Sequence, residues 1–171
     1  MLSTPMQKML NQQLQREFYS AYFYLSMEAY FRQHNLDGFA NFFRVQVQEE
    51  RDHALKFFTY INQAGGRIEL MQIDAPPGEF KSPEDIFELT FKHEQFITKS
   101  IYNLLDQAGE EKDHLTNSFL QWFVTEQMEE EATMDRILKK LKFINGDARS
   151  LLMLDSELAQ RVYTPPETGT V

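Results

Sequence analysis

The chain has 171 residues, of which 42% are hydrophobic and 13% aromatic, so it is long and apolar enough to fold around one sizeable core. Its formal net charge of −9 disfavours nucleic acid as a partner and suits a protein that handles cations. Cysteine is absent, which excludes disulfides and thiolate metal sites and fits a reducing compartment.

Helical periodicity predicts a first helix from about Pro5 to His34, with Thr4 as its N-cap and Gln7 completing a capping box. A short turn at residues 35–38 leads into a second, antiparallel helix from about Gly38 to Ala64, ended by the two glycines that follow. The first two helices should therefore form a hairpin.

The second half of the chain repeats this arrangement. A third helix begins after Ser82 and runs to about Ala108, and after a turn at residues 109–113 a fourth runs to about Ile144. A shorter fifth helix is expected at about 147–162, and the tail at 163–171 should be loose. Leu151, Leu152, Leu154 and Leu158 of the fifth helix cannot join a four-helix core, so we expect them to contact neighbouring subunits.

The segment at residues 66–82 is the one long connection. Fully extended it covers roughly 56 Å, whereas a helix of about 27 residues is roughly 40 Å long. It can therefore run the length of a bundle and make the second and third helices parallel. The sequence predicts a single all-α domain over 1–171, with a four-helix bundle at about 5–144 and one long crossover.

Ligand-type side chains interrupt the apolar stripe of each long helix near its midpoint. They are Glu17, Glu50 with His53, Glu94, and Gln127 with Glu130. Antiparallel packing brings these midpoints to one level, so the polar groups should converge in the core. Burying an unpaired carboxylate is costly, which makes the neutralising partner the main question about this chain.

A bound cation is the interpretation we favour. Glu50 and His53 are three residues apart, so they face the same way and can clamp a hard or borderline metal ion. The stripes offer no Lys or Arg nearby; Arg16 and Arg51 adjoin candidate ligands, but adjacent helical residues point about 100° apart. The alternative is a cluster of carboxyl groups satisfied by protonation or water.

Four stretches of the chain resemble non-haem ferritins of the prokaryotic type. They read NQQLQREFYSAYFYLSM, VQEERDHALKF, FKHEQFI and FLQWFVTEQMEEEA, and the resemblance extends over essentially the whole length. It implies a ferritin-like fold, iron storage, and ferroxidase activity with dioxygen or peroxide as oxidant. It also implies a homo-oligomeric shell of 24 subunits. The second helix has no methionine where haem-binding relatives carry their axial ligand, so we expect no haem.

The resemblance also assigns roles to individual residues. Glu17, Glu50 and His53 would hold one iron, and Glu50 would bridge to a second iron held by Glu94, with Gln127 and Glu130 nearby. Tyr24 and Trp122 match aromatic residues beside such centres. A third iron position would use Glu49, Glu126, Glu129 and Glu130.

Several of these assignments have simpler alternatives. Tyr24 could be plain core packing, and the acidic run that ends at Glu131 could be a solvated helix face. Glu28 lies on nearly the same face as Glu17 and could line a cavity or bind an extra ion. His34, His93 and His114 lie away from the stripes and are expected to be exposed.

The chain departs from the usual di-iron pattern on the fourth helix, where Gln127-x-x-Glu130 stands in place of a second Glu-x-x-His. We expect the second metal ion to be held less tightly, which suits storage better than a fixed cofactor. The same departure weighs against a rubrerythrin-like or manganese enzyme. The negative charge and the fifth helix oppose a DNA-protecting miniferritin, and the complete ligand set disfavours an inert structural bundle.

Localisation follows from what the N-terminal part of the sequence lacks. Residues 1–10 contain no basic segment followed by an apolar run, so no signal peptide is expected. No stretch approaches the apolar length of a membrane span. We therefore expect a cytoplasmic protein with no membrane partner.

Overall fold

Five α-helices make up the computed structural model, which describes residues 2–165 and shows no β-strand among them. The helices are α1 (Thr4–Gln33), α2 (Asp37–Gln63), α3 (Pro83–Glu110), α4 (His114–Ile144) and α5 (Ala148–Leu158). The predicted all-α class, with four long helices and a short fifth one, is confirmed. Of the predicted loose tail, residues 166–171 lie outside the described part of the chain.

The start of α1 differs from the prediction. Ser3 and not Thr4 is the N-cap, and its side chain accepts a hydrogen bond from the Met6 backbone N–H at 3.1 Å. Gln7 completes no capping box, because its Oε1 accepts from the backbone N–H of Arg67 at 2.9 Å. The residue predicted to stabilise its own helix therefore binds the segment that follows α2.

The ends of the other helices follow local backbone chemistry. α3 continues past the predicted end to Glu110, and the turn is made at Lys112, which has a φ of 55°. α4 ends at Ile144, as predicted, and its C-cap Asn145 adopts the left-handed conformation with a φ of 47°. The fifth helix is shorter than predicted and ends at Leu158.

The crossover runs along α1 from one end of the bundle to the other. Near its start, the Glu69 backbone N–H donates to Asn11 Oδ1 at 2.8 Å, and further on Gln15 Nε2 donates to the Gln72 carbonyl at 3.3 Å. Close to its end, Phe80 meets the ring of Tyr30 at a centroid distance of 5.7 Å. These contacts ascend α1 in order, so α2 and α3 are parallel, as predicted.

α5 packs against its own bundle, contrary to part of the expectation. Leu154 and Leu158 are buried in the core shared with α1 and α2. Asp155 accepts from the Phe39 backbone N–H at 2.9 Å, and a Cβ at Gly38 would lie only 1.7 Å from the Asp155 carbonyl oxygen. Gly38 thus permits an approach that no other residue would allow.

The outer face of α5 still lacks a partner within the described chain. Leu152 is 57% exposed and Met153 is 68% exposed, while Leu151 packs at the edge of the core. Across residues 2–165, no helix has the combination of length and apolarity that crossing a bilayer requires.

Two apolar cores fill the bundle, one toward each end. One contains Tyr24, Phe43 and Met134, and the other contains Leu14, Ile97 and Phe123. Along every long helix the ligand-type side chains fall between the residues of these two cores. The bundle therefore holds a buried polar layer enclosed by hydrocarbon on both sides, where the dielectric constant is low.

Candidate metal centre

The first hairpin contributes one compact cluster to the polar layer. Glu17 comes from α1, Glu50 and His53 come from one turn of α2, and each is at most 3% exposed. One ligand atom from each residue lies within 4.8 Å of those of the other two. Among residues 2–165, no other group of three or more His, Asp or Glu side chains is this compact.

The second hairpin contributes the facing side of the layer. Glu94 of α3 accepts from Gln127 Nε2 of α4 at 3.0 Å through one oxygen, and from the Tyr24 hydroxyl through the other. Glu130 accepts from Gln46 Nε2 at 3.0 Å. Tyr24 thus makes a hydrogen bond to a candidate ligand in addition to packing in the core.

Charge repulsion and burial act together on these carboxyl groups. Burial, reinforced by the charges of Glu94 and Glu17, raises the pKa of Glu50 well above its ordinary value. Burial, with Glu94 and Glu50, does the same to the pKa of Glu130. Burial also raises the pKa of Glu94, to about 6. Such shifts mean that the layer lacks positive charge, so a cation placed in it would be strongly stabilised.

Unpartnered buried atoms show where a cation would be held. Glu17 Oε2 and His53 Nδ1 are buried and have no hydrogen-bond partner among the described residues. The same His53 nitrogen lies 3.4 Å from Glu50 Oε2. Carboxylate oxygens with one imidazole nitrogen form a donor set that suits Fe(II) and similar divalent ions. The residues present therefore fit such a metal.

The four glutamates expected at a third position do not form one compact group. Glu49 Oε2 is bound by Arg161 Nη2 at 2.7 Å, whereas Glu126 Oε1 is 3.8 Å from His53 Nε2. Glu129 is exposed and Glu130 belongs to the buried layer. A third ion at Glu49 would have to compete with the Arg161 guanidinium.

Three contacts around the layer were missed by the sequence analysis. Gln13 Nε2 donates to Glu17 Oε1 at 2.7 Å, Gln46 holds Glu130, and Arg161 pairs with Glu49. Gln13 and Gln46 each precede a candidate ligand of their own helix by four residues, a spacing that places them on its face. That signal was present in the sequence, whereas nothing in the local sequence pointed to Arg161.

Two other expectations are decided by packing. His93 is not exposed. Its Nε2 lies 2.8 Å from Ser20 Oγ, and the Phe23 and Tyr24 rings pack against its imidazole. This burial lowers the pKa of His93 to about 4. His34 and His114 are exposed as expected.

Glu28 pairs with Arg32 at 2.8 Å, so a neighbour on its own helix neutralises it.

Trp122 lies beside the candidate centre without taking part in its hydrogen bonds. Its ring meets the His53 imidazole edge-on at a centroid distance of 5.4 Å. The Lys56 ammonium lies 4.3 Å from the centre of the same ring, so Trp122 separates that cation from the polar layer.

Comparison with known proteins places this geometry in a family. The model of the ferritin-like domain matches residues 7–144. The bacterial non-heme ferritin of Campylobacter jejuni is 43% identical over 155 residues, which cover 91% of this chain and 93% of that protein. That of Staphylococcus haemolyticus is 40% identical over 163 residues, covering 95% and 98%.

Solved structures give the same result in three dimensions. The open-pore ferritin of the archaeon Archaeoglobus fulgidus superposes with a TM-score of 0.94 at 47% identity, covering 95% of this chain and all of that one. A closed form of that ferritin, engineered by site-directed mutagenesis, superposes with the same score and identity and covers 96% of this chain.

Proposed function

The chain belongs to the ferritin family, in its prokaryotic non-haem branch, and from this membership we propose that it stores iron and oxidises Fe(II) to Fe(III) within each subunit. The observation that carries the proposal is the buried layer of carboxyl groups without counter-charge. A layer of this kind destabilises the metal-free fold, so its presence is best explained by a cation that it is built to receive.

We assign the first iron to Glu17, Glu50 and His53, whose ligand atoms are already gathered. Glu50 would bridge to a second iron beside Glu94, with Gln127 and Glu130 contributing weaker contacts. Because Gln127 is uncharged, the second position carries less negative charge than a carboxylate in its place would supply. Iron there should be held less tightly and should leave more readily as Fe(III).

The reaction needs little acid–base chemistry from the protein. Two Fe(II) ions, each held by carboxylates, give one electron each to dioxygen or to peroxide, and two protons balance the reduced oxidant. Carboxylate ligands favour the Fe(III) product because its extra charge is better neutralised by them. The apolar cores above and below the layer limit access of water to the site. Glu49, Glu126, Glu129 and Glu130 would then pass the product toward a mineral core.

Storage requires an enclosed space, so we also propose that the chain assembles into a homo-oligomeric shell of 24 subunits. Each chain would act as one domain, and the shell would be cytoplasmic. The exposed apolar residues Leu152, Met153 and Phe143, the last of them 92% exposed, offer surface for such contacts. The proposal includes no haem, nucleic acid or membrane partner. Gel filtration tests it: a species of several hundred kilodaltons is expected, and a monomer or dimer would overturn the shell.

Stopped-flow absorbance in the near-ultraviolet tests the ferroxidase site. About two Fe(II) per chain would be added aerobically to the native protein, to Glu50→Ala, and to Glu110→Ala as a control in which an exposed carboxylate is lost. We expect fast oxidation in the native protein and the control, and oxidation at the buffer rate in Glu50→Ala. Equally fast oxidation in all three proteins would contradict the site, and oxidation at the buffer rate in all three would indicate a structural layer.

A further inference from the structure

A continuous hydrogen-bond chain links Arg16 to the candidate ligand Glu17 through two other side chains. Arg16 Nη1 donates to Ser100 Oγ on α3, and the Ser100 hydroxyl donates to Gln13 Oε1. Gln13 Nε2 then donates to Glu17 Oε1 at 2.7 Å. Arg16 and Glu17 are adjacent in sequence and point in different directions, yet this path through a second helix connects them.

The orientation of the Gln13 amide is fixed by the groups on either side of it. A guanidinium group can only donate, and Arg16 Nη1 donates both to Ser100 Oγ and, at 3.5 Å, directly to Gln13 Oε1. The Ser100 hydroxyl donates to the same amide oxygen, which leaves the Gln13 NH₂ group facing Glu17. An amide's orientation is ordinarily ambiguous, but here the donor-only cation decides it.

Burial isolates the inner members of this path from water. Gln13 is fully buried, Ser100 is 3% exposed and Glu17 is 1% exposed, whereas Arg16 at the outer end is half-buried. The Arg16 side chain is itself held in place, because its guanidinium lies 5.3 Å from the centre of the Phe96 ring. Each bond in a low-dielectric path of this kind also polarises the next one.

The path determines how Glu17 faces the metal position. Its Oε1 is occupied by Gln13, whereas its Oε2 has no partner among the described residues. Only Oε2 is therefore free to bind an ion. A carboxylate without this restraint could rotate and offer both oxygens, or neither, to a metal.

We propose that Arg16 and Ser100 are positioning residues that lock the Gln13 amide and thereby present Glu17 to the metal through a single oxygen. The inference rests on the proposed function, since it requires Glu17 to be a metal ligand. Without Arg16, the Ser100 hydroxyl loses its fixed direction and the Gln13 amide is free to turn over. Its carbonyl oxygen would then face the Glu17 carboxylate, and the two acceptors would repel each other.

Anaerobic titration of the assembled protein with Co(II), followed by the visible absorption of the bound ion, tests the proposal without any oxidation step. The variants are Arg16→Met and Ser100→Ala, each alone and combined, and Arg16→Lys, which keeps a donor-only cation. Arg51→Met is the control, because Arg51 also adjoins a candidate ligand but pairs with Asp52 at 3.2 Å on the surface. Far-ultraviolet circular dichroism and gel filtration confirm that each variant folds and assembles.

We expect Arg16→Met to raise the dissociation constant of the tightest Co(II) ion roughly tenfold and to change its spectrum, as for the loss of a hydrogen bond to a charged group. Ser100→Ala should have a smaller effect, because Arg16 still donates directly to Gln13 Oε1, and the double variant should be no worse than Arg16→Met alone. Arg16→Lys and Arg51→Met should stay within about twofold of the native protein.

Three results would overturn the proposal. The first is an unchanged Co(II) affinity in Arg16→Met. The second is an equal loss of affinity in Arg51→Met, which would mean that net charge alone is responsible. The third is an equal loss of affinity in Arg16→Lys, which would mean that packing on Phe96 is responsible. Glu17→Ala separates this failure from that of the proposed function. If Glu17→Ala binds Co(II) as the native protein does, Glu17 is no ligand and both ideas fail; if only Glu17→Ala loses the ion, the positioning role alone fails.

Discussion

Gln127 contributes an uncharged amide to a layer whose other α3 and α4 members are glutamates. Its Nε2 donates both to Glu94 Oε2 and, at 3.3 Å, to the Glu94 backbone carbonyl. The amide therefore stabilises the metal-free state, whereas in the proposed function it would give a second metal ion only a weak ligand. A variant that replaces this amide should therefore change metal-free stability and metal affinity in opposite directions.

We expect Gln127→Glu to tighten binding of the second metal ion and to destabilise the metal-free protein. The new carboxyl group would be the fifth acidic group of the layer and would remove a donor to Glu94, costing about 1–3 kcal/mol. Zn(II) calorimetry and thermal unfolding after chelation measure the two effects. Gln121→Glu, at an exposed position on the same helix, is the control. Weaker second-ion binding in Gln127→Glu would argue that Gln127 does not face the metal.

The buried carboxyl groups also predict how stability depends on pH. Burial raises the pKa of Glu17, Glu50 and Glu130, and raises that of Glu94 from 4.5 to about 6. A carboxyl whose pKa is higher in the folded state contributes stability that is fully present below the unfolded value and is lost as pH rises through the folded value. The metal-free protein should therefore lose stability from about pH 4.5 upward, through pH 6 and beyond.

Thermal unfolding of chelated protein across this range measures the effect. Glu94→Gln should flatten the fall in Tm, because it removes one of the titrating groups. Saturating Zn(II) should reverse the fall, since the metal binds the deprotonated carboxylates and releases their protons. A Tm that rises with pH in the metal-free protein would mean that some cationic group already neutralises the layer.

How far the sequence could predict single residues depended on periodicity. Glu17, Glu50 and Glu94 could be placed in the core because they occupy apolar positions of a 3.6-residue repeat, which reports the buried face directly. The burial of His93 could not be predicted in this way, because it depends on how Tyr19, Phe23 and Phe96, which come from two helices, pack around the imidazole ring.

At the scale of elements, α5 presents two faces with different partners. Leu154→Ala should lower the free energy of unfolding by about 2–4 kcal/mol, because it opens a cavity in the chain's own core. Leu152→Ala should leave that core intact and weaken assembly instead, since this leucine is 57% exposed in the single chain. Unfolding calorimetry and gel filtration of both variants distinguish the effects. A reversal of the two outcomes would mean that α5 changes its packing on assembly.

The segment at residues 159–165, which follows α5, contacts the proposed third iron position through the Arg161–Glu49 ion pair. Asn41 Nδ2 donates to the Arg161 carbonyl at 2.9 Å, and the Arg161 guanidinium lies 4.4 Å from the centre of the Phe42 ring. The Tyr163 hydroxyl donates to Asp52. The segment is thus docked along α2, where the sequence predicted a longer helix and then a loose tail. Helical periodicity carried no information about these contacts, because they belong to an extended segment.

Arg161→Met should therefore strengthen metal binding at Glu49, if Glu49 is a ligand. The variant removes a cation that competes for the same carboxylate, and a partly exposed pair of this kind corresponds to roughly a threefold change. Zn(II) calorimetry would follow the weakest class of site. Arg149→Met, at an exposed position of α5, controls for net charge. Identical changes in both variants would leave Arg161 with a structural role only.

At the scale of the whole molecule, the two hairpins carry their ligands in the same register. Glu17 precedes Glu50 by 33 residues, and Glu94 precedes Gln127 by 33 residues. His53 and Glu130 each follow three residues later. The two halves share no evident sequence repeat, so the correspondence lies in the spacing. The differences within it, Gln127 for Glu50 and Glu130 for His53, would make the two proposed metal positions unequal.

The division into hairpins has a consequence for how the protein is built. Each hairpin can form from contacts between neighbours in the chain, which is a fast process. The complete centre exists only once the two hairpins dock, with the crossover drawn along α1. The first hairpin alone already holds the ligand group of Glu17, Glu50 and His53, whereas Glu94, Gln127 and Glu130 arrive only with the second hairpin. If iron binds as proposed, an ion at the first position would stabilise the first hairpin by itself, whereas an ion shared between Glu50 and Glu94 would hold the two docked hairpins together and resist their separation.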